Sequence, residues 1–156
     1  MRNGRSALIV FFVSDQLAFG SKVRLNRHVE KLRQLGITHI IDARNYPSKK
    51  LRKFKTIHLN FKDDARPRPM WFYHRALKFY GAALKTPRSK VFVMCRAGRR
   101  RSASLTYFLL RASGHAPANA RTIMYKARPC VQLVRAYVET GELYLQRNLL
   151  KPRRWG

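Results

Sequence analysis

The stretch Val91-Phe92-Val93-Met94-Cys95-Arg96-Ala97-Gly98-Arg99-Arg100-Arg101-Ser102 constrains this chain more than any other. Its first residues are apolar, β-branched or aromatic, the composition of a buried strand, and from Ser102 apolar residues recur at helical spacing through Leu110. Between the two lies a short loop. A loop that leaves a strand and enters a helix turns backbone N–H groups inward, and with the positive end of the helix dipole these form a cradle for an anion. Phosphate fits such a cradle.

The cradle also carries reactive groups. Cys95 stands at its base beside a helix N-terminus and several arginines, surroundings that favour the thiolate, the nucleophilic form of the side chain. Arg101 closes the loop with a planar fork that matches two phosphate oxygens. Gly98 lets the backbone close on an oxyanion, and Ser102 is placed to hydrogen-bond the thiolate when it leaves. Arg96, Ala97, Gly98, Arg99, Arg100 and Arg101 are therefore the expected substrate-binding set, with Cys95, Arg101 and Ser102 in catalytic roles.

Around this segment the chain alternates strand and helix. Met1 to Val13 places basic residues before the short apolar run Ala7 to Val13; no small-residue cleavage pattern follows, so a buried strand is expected rather than a signal peptide. Leu25, Val29, Leu32 and Leu35 have helical spacing within 22–35, and Gly36 is a natural stop. Ile37 to Ala43 and Thr56 to Phe61 read as further strands. After the loop Lys62 to Pro69 a helix is expected with Phe72, Ala76, Phe79 and Ala83 on its apolar face. Another runs from Ser102 to Ala112 and ends at Gly114; the next spans Ala116 to Ala127 with Pro117 in its first turn. Arg128-Pro129 breaks it. A last helix is expected from Cys130 to Tyr144, through Val131, Val134, Tyr137 and Val138 and loosened at Gly141. This pattern predicts a single α/β domain over 1–150, a mostly parallel sheet with helices on both sides, followed by a short basic tail over 151–156.

Charge speaks to partners. Thirty-four lysines and arginines stand against 7 acids, a formal +27. No fold requires that excess, so it points to nucleic acid, an anionic membrane surface, a polyphosphorylated substrate or an acidic protein. The run Ser48 to Lys55 reads as a solvated loop, as a patch for phosphate backbones or lipid headgroups, or as a nuclear-localisation-like signal. Cys95 and Cys130 are too few and too far apart for a disulfide framework, which fits a reducing compartment, the cytoplasm or, in a eukaryote, the nucleus. Cys130 reads as a core or surface thiol rather than an oxidation partner. Histidines at 28, 39, 58, 74 and 115 show no metal spacing, so neither metal nor cofactor is expected, and no segment is apolar for long enough to span a membrane. The sequence does not set an oligomeric state.

Cysteine, five residues, arginine, then serine, set between an apolar strand and a helix, resembles the signature loop of the cysteine-dependent protein tyrosine phosphatases. Leu17-Ala18-Phe19-Gly20-Ser21, the stretch Leu35 to Ile41, the Asp63-Asp64 pair and Arg128-Pro129 resemble the compact dual-specificity branch in matching order. Together they cover residues 17–130. The resemblance implies a metal-free phosphomonoester hydrolase that works through a cysteinyl-phosphate. It places a general acid at the end of the strand before the Phe72 helix, which is Asp63, with Asp64 as the alternative. Phosphoprotein is the first substrate class it implies. Basic residues at Arg96 and Arg99 resemble members that act on phosphoinositides, and another branch acts on RNA 5′ phosphates. One departure stands out: the family usually has histidine immediately before the nucleophile, where this chain has Met94. That substitution supports a rival reading, a catalytically weak module that binds phosphate or nucleic acid.

Overall fold

The computed structural model describes residues 7–148; the tail expected over 151–156 lies outside them. The strands are β1 (Val10–Ser14), β2 (Leu17–Gly20), β3 (His39–Asp42), β4 (Lys55–His58) and β5 (Val91–Met94). Interleaved with them are α1 (Asn26–Gln34), α2 (Met70–Leu84), α3 (Arg101–Ala112), α4 (Pro117–Ala127) and α5 (Arg135–Asn148). The strands form one sheet in the order β1-β2-β5-β3-β4, parallel throughout except for the antiparallel β1–β2 pair.

Side chains alternate across the pleat, and both faces are apolar. Leu17, Phe19, Ile41, Val91 and Val93 point into a large core completed by α2, α3, α4 and α5. Ala18, Ile40, Phe92 and Met94 point the other way, into a smaller core closed by Val29 and Leu32 of α1 and by Leu51 and Phe54. The mostly parallel α/β sheet covered on both faces is the architecture the sequence implies. Because β2, β5 and β3 run parallel, with Met94 opposite Gly20 and Asp42, they end at one edge. Such an edge is where ligands of open α/β sheets bind.

Several boundaries differ from expectation, each for a visible reason. β1 is an edge strand and only half-buried, with Phe12 37% exposed. β2 is fully buried but only four residues long, too short to show a period. The helix expected from Lys22 begins at Asn26, and the Lys22 N–H donates to the Arg96 carbonyl (3.3 Å), which ties the preceding segment to the loop after β5. His28 Nδ1 then caps α1 by accepting the N–H groups of Arg24 (3.1 Å) and Leu25 (3.3 Å). On α2 the buried face runs through Phe72, Tyr73, Ala76, Tyr80 and Ala83, and Phe79 is only half-buried. The last helix starts at Arg135 rather than Cys130. Gln132 N–H donates to the Arg99 carbonyl (2.8 Å) and Val134 N–H to Ser104 Oγ (3.0 Å), so tertiary bonds hold this segment out of the helix. Gly141 does not loosen α5. A Cβ there would lie 3.0 Å from the Phe108 ring and 3.1 Å from that of Tyr73, so glycine permits the close approach of α5 to α2 and α3. Among the described residues no helix is long and apolar enough to cross a membrane.

Candidate active site

The loop from Cys95 to Arg100 turns out of β5 at the shared strand edge. Cys95 is 2% exposed, and its N–H donates to the Gly20 carbonyl (3.2 Å), which continues the β2–β5 ladder by one residue. The turn then depends on Gly98. Its φ is +67°, and a Cβ there would stand 2.6 Å from the Gly20 carbonyl carbon, so only glycine fits without a shift of backbone. The Gly98 N–H donates to Cys95 Sγ (3.3 Å), and Sγ lies 3.1 Å from Ser102 Oγ in the first turn of α3.

The outward carbonyls of the loop are fixed from behind. Arg128 Nη1 donates to the carbonyls of Ala97 and Gly98, both at 2.8 Å, while its guanidinium lies 5.3 Å from the centre of the Phe11 ring. With the carbonyls held on that side, the peptide planes aim their N–H groups at the opposite one. Arg101 is anchored by Nη1, which donates to the Phe61 carbonyl (2.9 Å) and approaches Asn45 Oδ1 (3.4 Å).

Over the loop lies a cavity of about 210 Å³ lined by Asp63, Cys95, Arg96, Ala97, Arg99, Arg100, Arg101 and Gln132. Asp63 is held there by two partners: Arg100 Nε donates to its carboxylate oxygens (3.0 and 3.2 Å), and the Tyr137 hydroxyl donates to Oδ1 (3.2 Å). Burial pushes the Tyr137 phenol above its ordinary value, and the Asp63 charge adds to the rise against the pull of the Ala65 N–H, so Tyr137 stays a donor. The adjacent Asp64 turns away. Its carboxylate accepts the Arg66 N–H (3.0 Å) and Arg68 Nη2 (2.9 Å), and these contacts, the backbone bond first, hold it below the usual carboxylate range.

No protein-family model and no curated protein sequence matches the chain. Solved structures do match in three dimensions. The human tyrosine phosphatase-like serine/threonine/tyrosine-interacting protein superposes with a TM-score of 0.76 at 21% identity, over 88% of this chain and 96% of that one. A mouse putative dual-specificity phosphatase complexed with zinc tungstate gives 0.76 at 22% identity, over 92% of each chain. PTPMT1 in complex with PI(5)P gives 0.76 at 17% identity, over 88% and 95%. The chain has the compact dual-specificity phosphatase fold.

Set on this phosphatase fold, the sequence-derived residues fall into two groups. Asp63, Cys95, Arg96, Ala97, Arg99, Arg100 and Arg101 line one cavity, while Gly98 and Ser102 do not line it and contact Cys95 Sγ instead. Asp64 is directed elsewhere. Arg100, one of the expected substrate-binding residues, lines the cavity while its guanidinium bonds to Asp63 and to Gln132 Oε1 (2.9 Å). Met94 is wholly buried in the smaller core and offers the loop no polar group. Three contributors escaped sequence reasoning: Gln132 in the cavity wall, Tyr137 above Asp63, and the Arg128 clamp. The sequence marks Arg128 as the helix-breaking neighbour of Pro129 and as part of the dual-specificity resemblance, without a role toward the loop. Periodicity marks Tyr137 only as part of the apolar face of the last helix and does not mark Gln132; both follow α4 in the chain.

Proposed function

We propose that the chain is a phosphomonoester hydrolase working through a cysteinyl-phosphate intermediate. Cys95 thiolate attacks phosphorus, the Sγ–P bond forms, and the P–O bond to the leaving group breaks as Asp63 delivers its proton to the departing oxygen. Water then attacks the phosphocysteine and gives a proton back to Asp63, and Cys95 leaves as thiolate with Ser102 as its hydrogen-bond partner. Arg101 and the loop amides bear the charge that spreads over the equatorial oxygens. The reading rests on one observation: a nearly buried thiol within hydrogen-bond distance of Ser102, at the floor of an arginine-lined cavity whose lining carboxylate is Asp63. Protein-borne phosphate is the substrate class the resemblance implies, while the cradle itself asks only for a phosphate monoester.

Met94 favours a second reading, a phosphate-binding module with weak turnover. Steady-state hydrolysis of a small aryl phosphate near pH 6, with chelator present, separates the two. The enzyme reading expects turnover that Cys95→Ser abolishes, with binding of inorganic phosphate retained. A folded protein that binds phosphate and releases none from the ester would select the binding module.

A further inference from the structure

The cradle has cations on both of its flanks. Away from Asp63 a second cavity, of about 300 Å³, is lined by Lys22, Arg44, Asn45, Tyr46, Arg96 and Arg101. Arg96 and Arg101 also line the Cys95 cavity, so the two hollows share a wall. This cluster is built rather than incidental. Arg44 is gripped by the buried Asp42, with Nε donating to Oδ1 (3.0 Å) and Nη2 to Oδ2 (3.3 Å), and Asp42 also accepts the Ser48 N–H (3.2 Å). Lys22 is tied to the cradle through its N–H on the Arg96 carbonyl. Burial pushes the Lys22 ammonium below its ordinary range, and the guanidiniums of Arg24, Arg96 and Arg44 push it the same way. Asp42 offsets one of the four lining charges from behind Arg44, and the others repel one another until an anion joins them.

We propose that this cavity is a second phosphate subsite, so that the preferred substrate is a small molecule carrying two phosphates on neighbouring positions of one ring. One phosphate lies in the cradle over Cys95 and the other between Lys22, Arg44 and Arg96. The proposal rests on the phosphatase reading above and narrows its substrate class. Because Arg96 and Arg101 line both cavities, the two proposed anion positions are adjacent. A ring holds two phosphates at such a separation in advance, whereas two phosphorylated side chains of a peptide must lose freedom to reach it. Tyr46, 80% exposed beside the cavity, offers an aromatic surface for the ring.

The test uses Cys95→Ser, which binds without turnover, titrated calorimetrically with myo-inositol 4-phosphate and myo-inositol 4,5-bisphosphate at 150 mM salt. We expect the bisphosphate to bind at least roughly tenfold more tightly, and the addition of Lys22→Met or Lys22→Gln to bring the ratio close to one. Lys53→Met, in the neighbouring basic run, serves as the control for general charge and should leave the ratio intact. Equal affinities, or a ratio that Lys53→Met lowers as far as Lys22→Met does, would overturn the subsite. Tighter binding of a doubly phosphorylated peptide than of the inositol bisphosphate would overturn the small-ring substrate. Active protein offered the bisphosphate free, or as a lipid headgroup in phosphatidylcholine vesicles, identifies the source; Lys22-dependent hydrolysis of either supports the proposal. A wild-type protein inert toward aryl phosphate yet selective for the bisphosphate would strike the enzyme reading and leave the subsite standing.

Discussion

The two flanks of the Cys95 loop are made in different ways. On one side Asp63, Arg100, Gln132, Tyr137 and Arg128 bond to one another or to the loop, so that each charge has a protein partner. On the other side Lys22, Arg44 and Arg96 crowd like charges around an open cavity, with a single carboxylate behind them. The first flank draws on residues 128–137, far along the chain, and is locked by tertiary contact. The second hangs on loops that leave β2 and β3 where those strands flank β5. A satisfied network positions groups for chemistry, while an excess of one charge waits for a ligand. On the proposed reading one loop joins a reacting side to a recognising side, and substitutions should separate them.

The sharpest separation is expected within one dipeptide. Asp63→Asn should lower kcat for an alkyl phosphate by roughly 10²–10⁴, the usual range for loss of a positioned general acid. The deficit should shrink for an aryl phosphate, whose leaving group needs less protonation. Asp64→Asn should stay within about threefold of wild type, as surface changes away from a site do, because its carboxylate serves Arg66 and Arg68 outside the cavity. Matching losses in the two variants would mean that the loop carrying them, and not one carboxylate, supports turnover.

A smaller effect should come from behind the loop. Arg128→Met frees the carbonyls of Ala97 and Gly98 and loosens the amides that face substrate. A displacement on the order of 1 Å at a reacting centre can cost up to about a hundredfold, so kcat/KM should fall by roughly 10–100-fold, with inhibition by inorganic phosphate weakened in parallel. Unchanged phosphate inhibition would show that the ladder bond from Cys95 to Gly20 and the Gly98 turn hold the cradle unaided.

How much of this was legible in the sequence follows the same division. The cradle is local: strand, cysteine, glycine and helix lie within one short stretch, and composition alone places them on the correct elements. Asp63 could be favoured over Asp64 by counting from Phe72, since the approach of that loop to the site is fixed by the helix after it. Contacts across long separations left no such trace. Residues 130–134 have helical spacing yet stay out of α5, where Gln132 N–H donates to the Arg99 carbonyl and Val134 N–H to Ser104 Oγ. Arg100 lines the cavity as expected of a substrate ligand, but its bonds to Asp63 and Gln132 reach across long separations that local pattern does not show. The Lys22 cavity arises only because β2 and β3 both flank β5, a strand order that pattern does not reveal.

Tyr137 offers the finest cut between the flanks. Its hydroxyl donates to Asp63 (3.2 Å) and accepts the Ala65 N–H (2.8 Å), and Ala65 sits in the left-handed region at φ +58°. Its ring packs edge-on against Phe61 with centroids 4.6 Å apart. Tyr137→Phe keeps that packing and removes only the hydroxyl, so Asp63 retains Arg100 and loses one donor. A net hydrogen bond is worth about 1 kcal/mol, and kcat should fall roughly fivefold. KM for an aryl phosphate should hold, because the ester is bound by the cradle rather than by Asp63. Selectivity for a bisphosphate should hold as well, since Lys22 and Tyr137 share no partner and distant effects add independently. A fall as deep as that of Asp63→Asn would make the hydroxyl, and not Arg100, the element that keeps the acid over the loop. A loss of bisphosphate selectivity would show instead that the two flanks move together, and the separation of chemistry from recognition would fail.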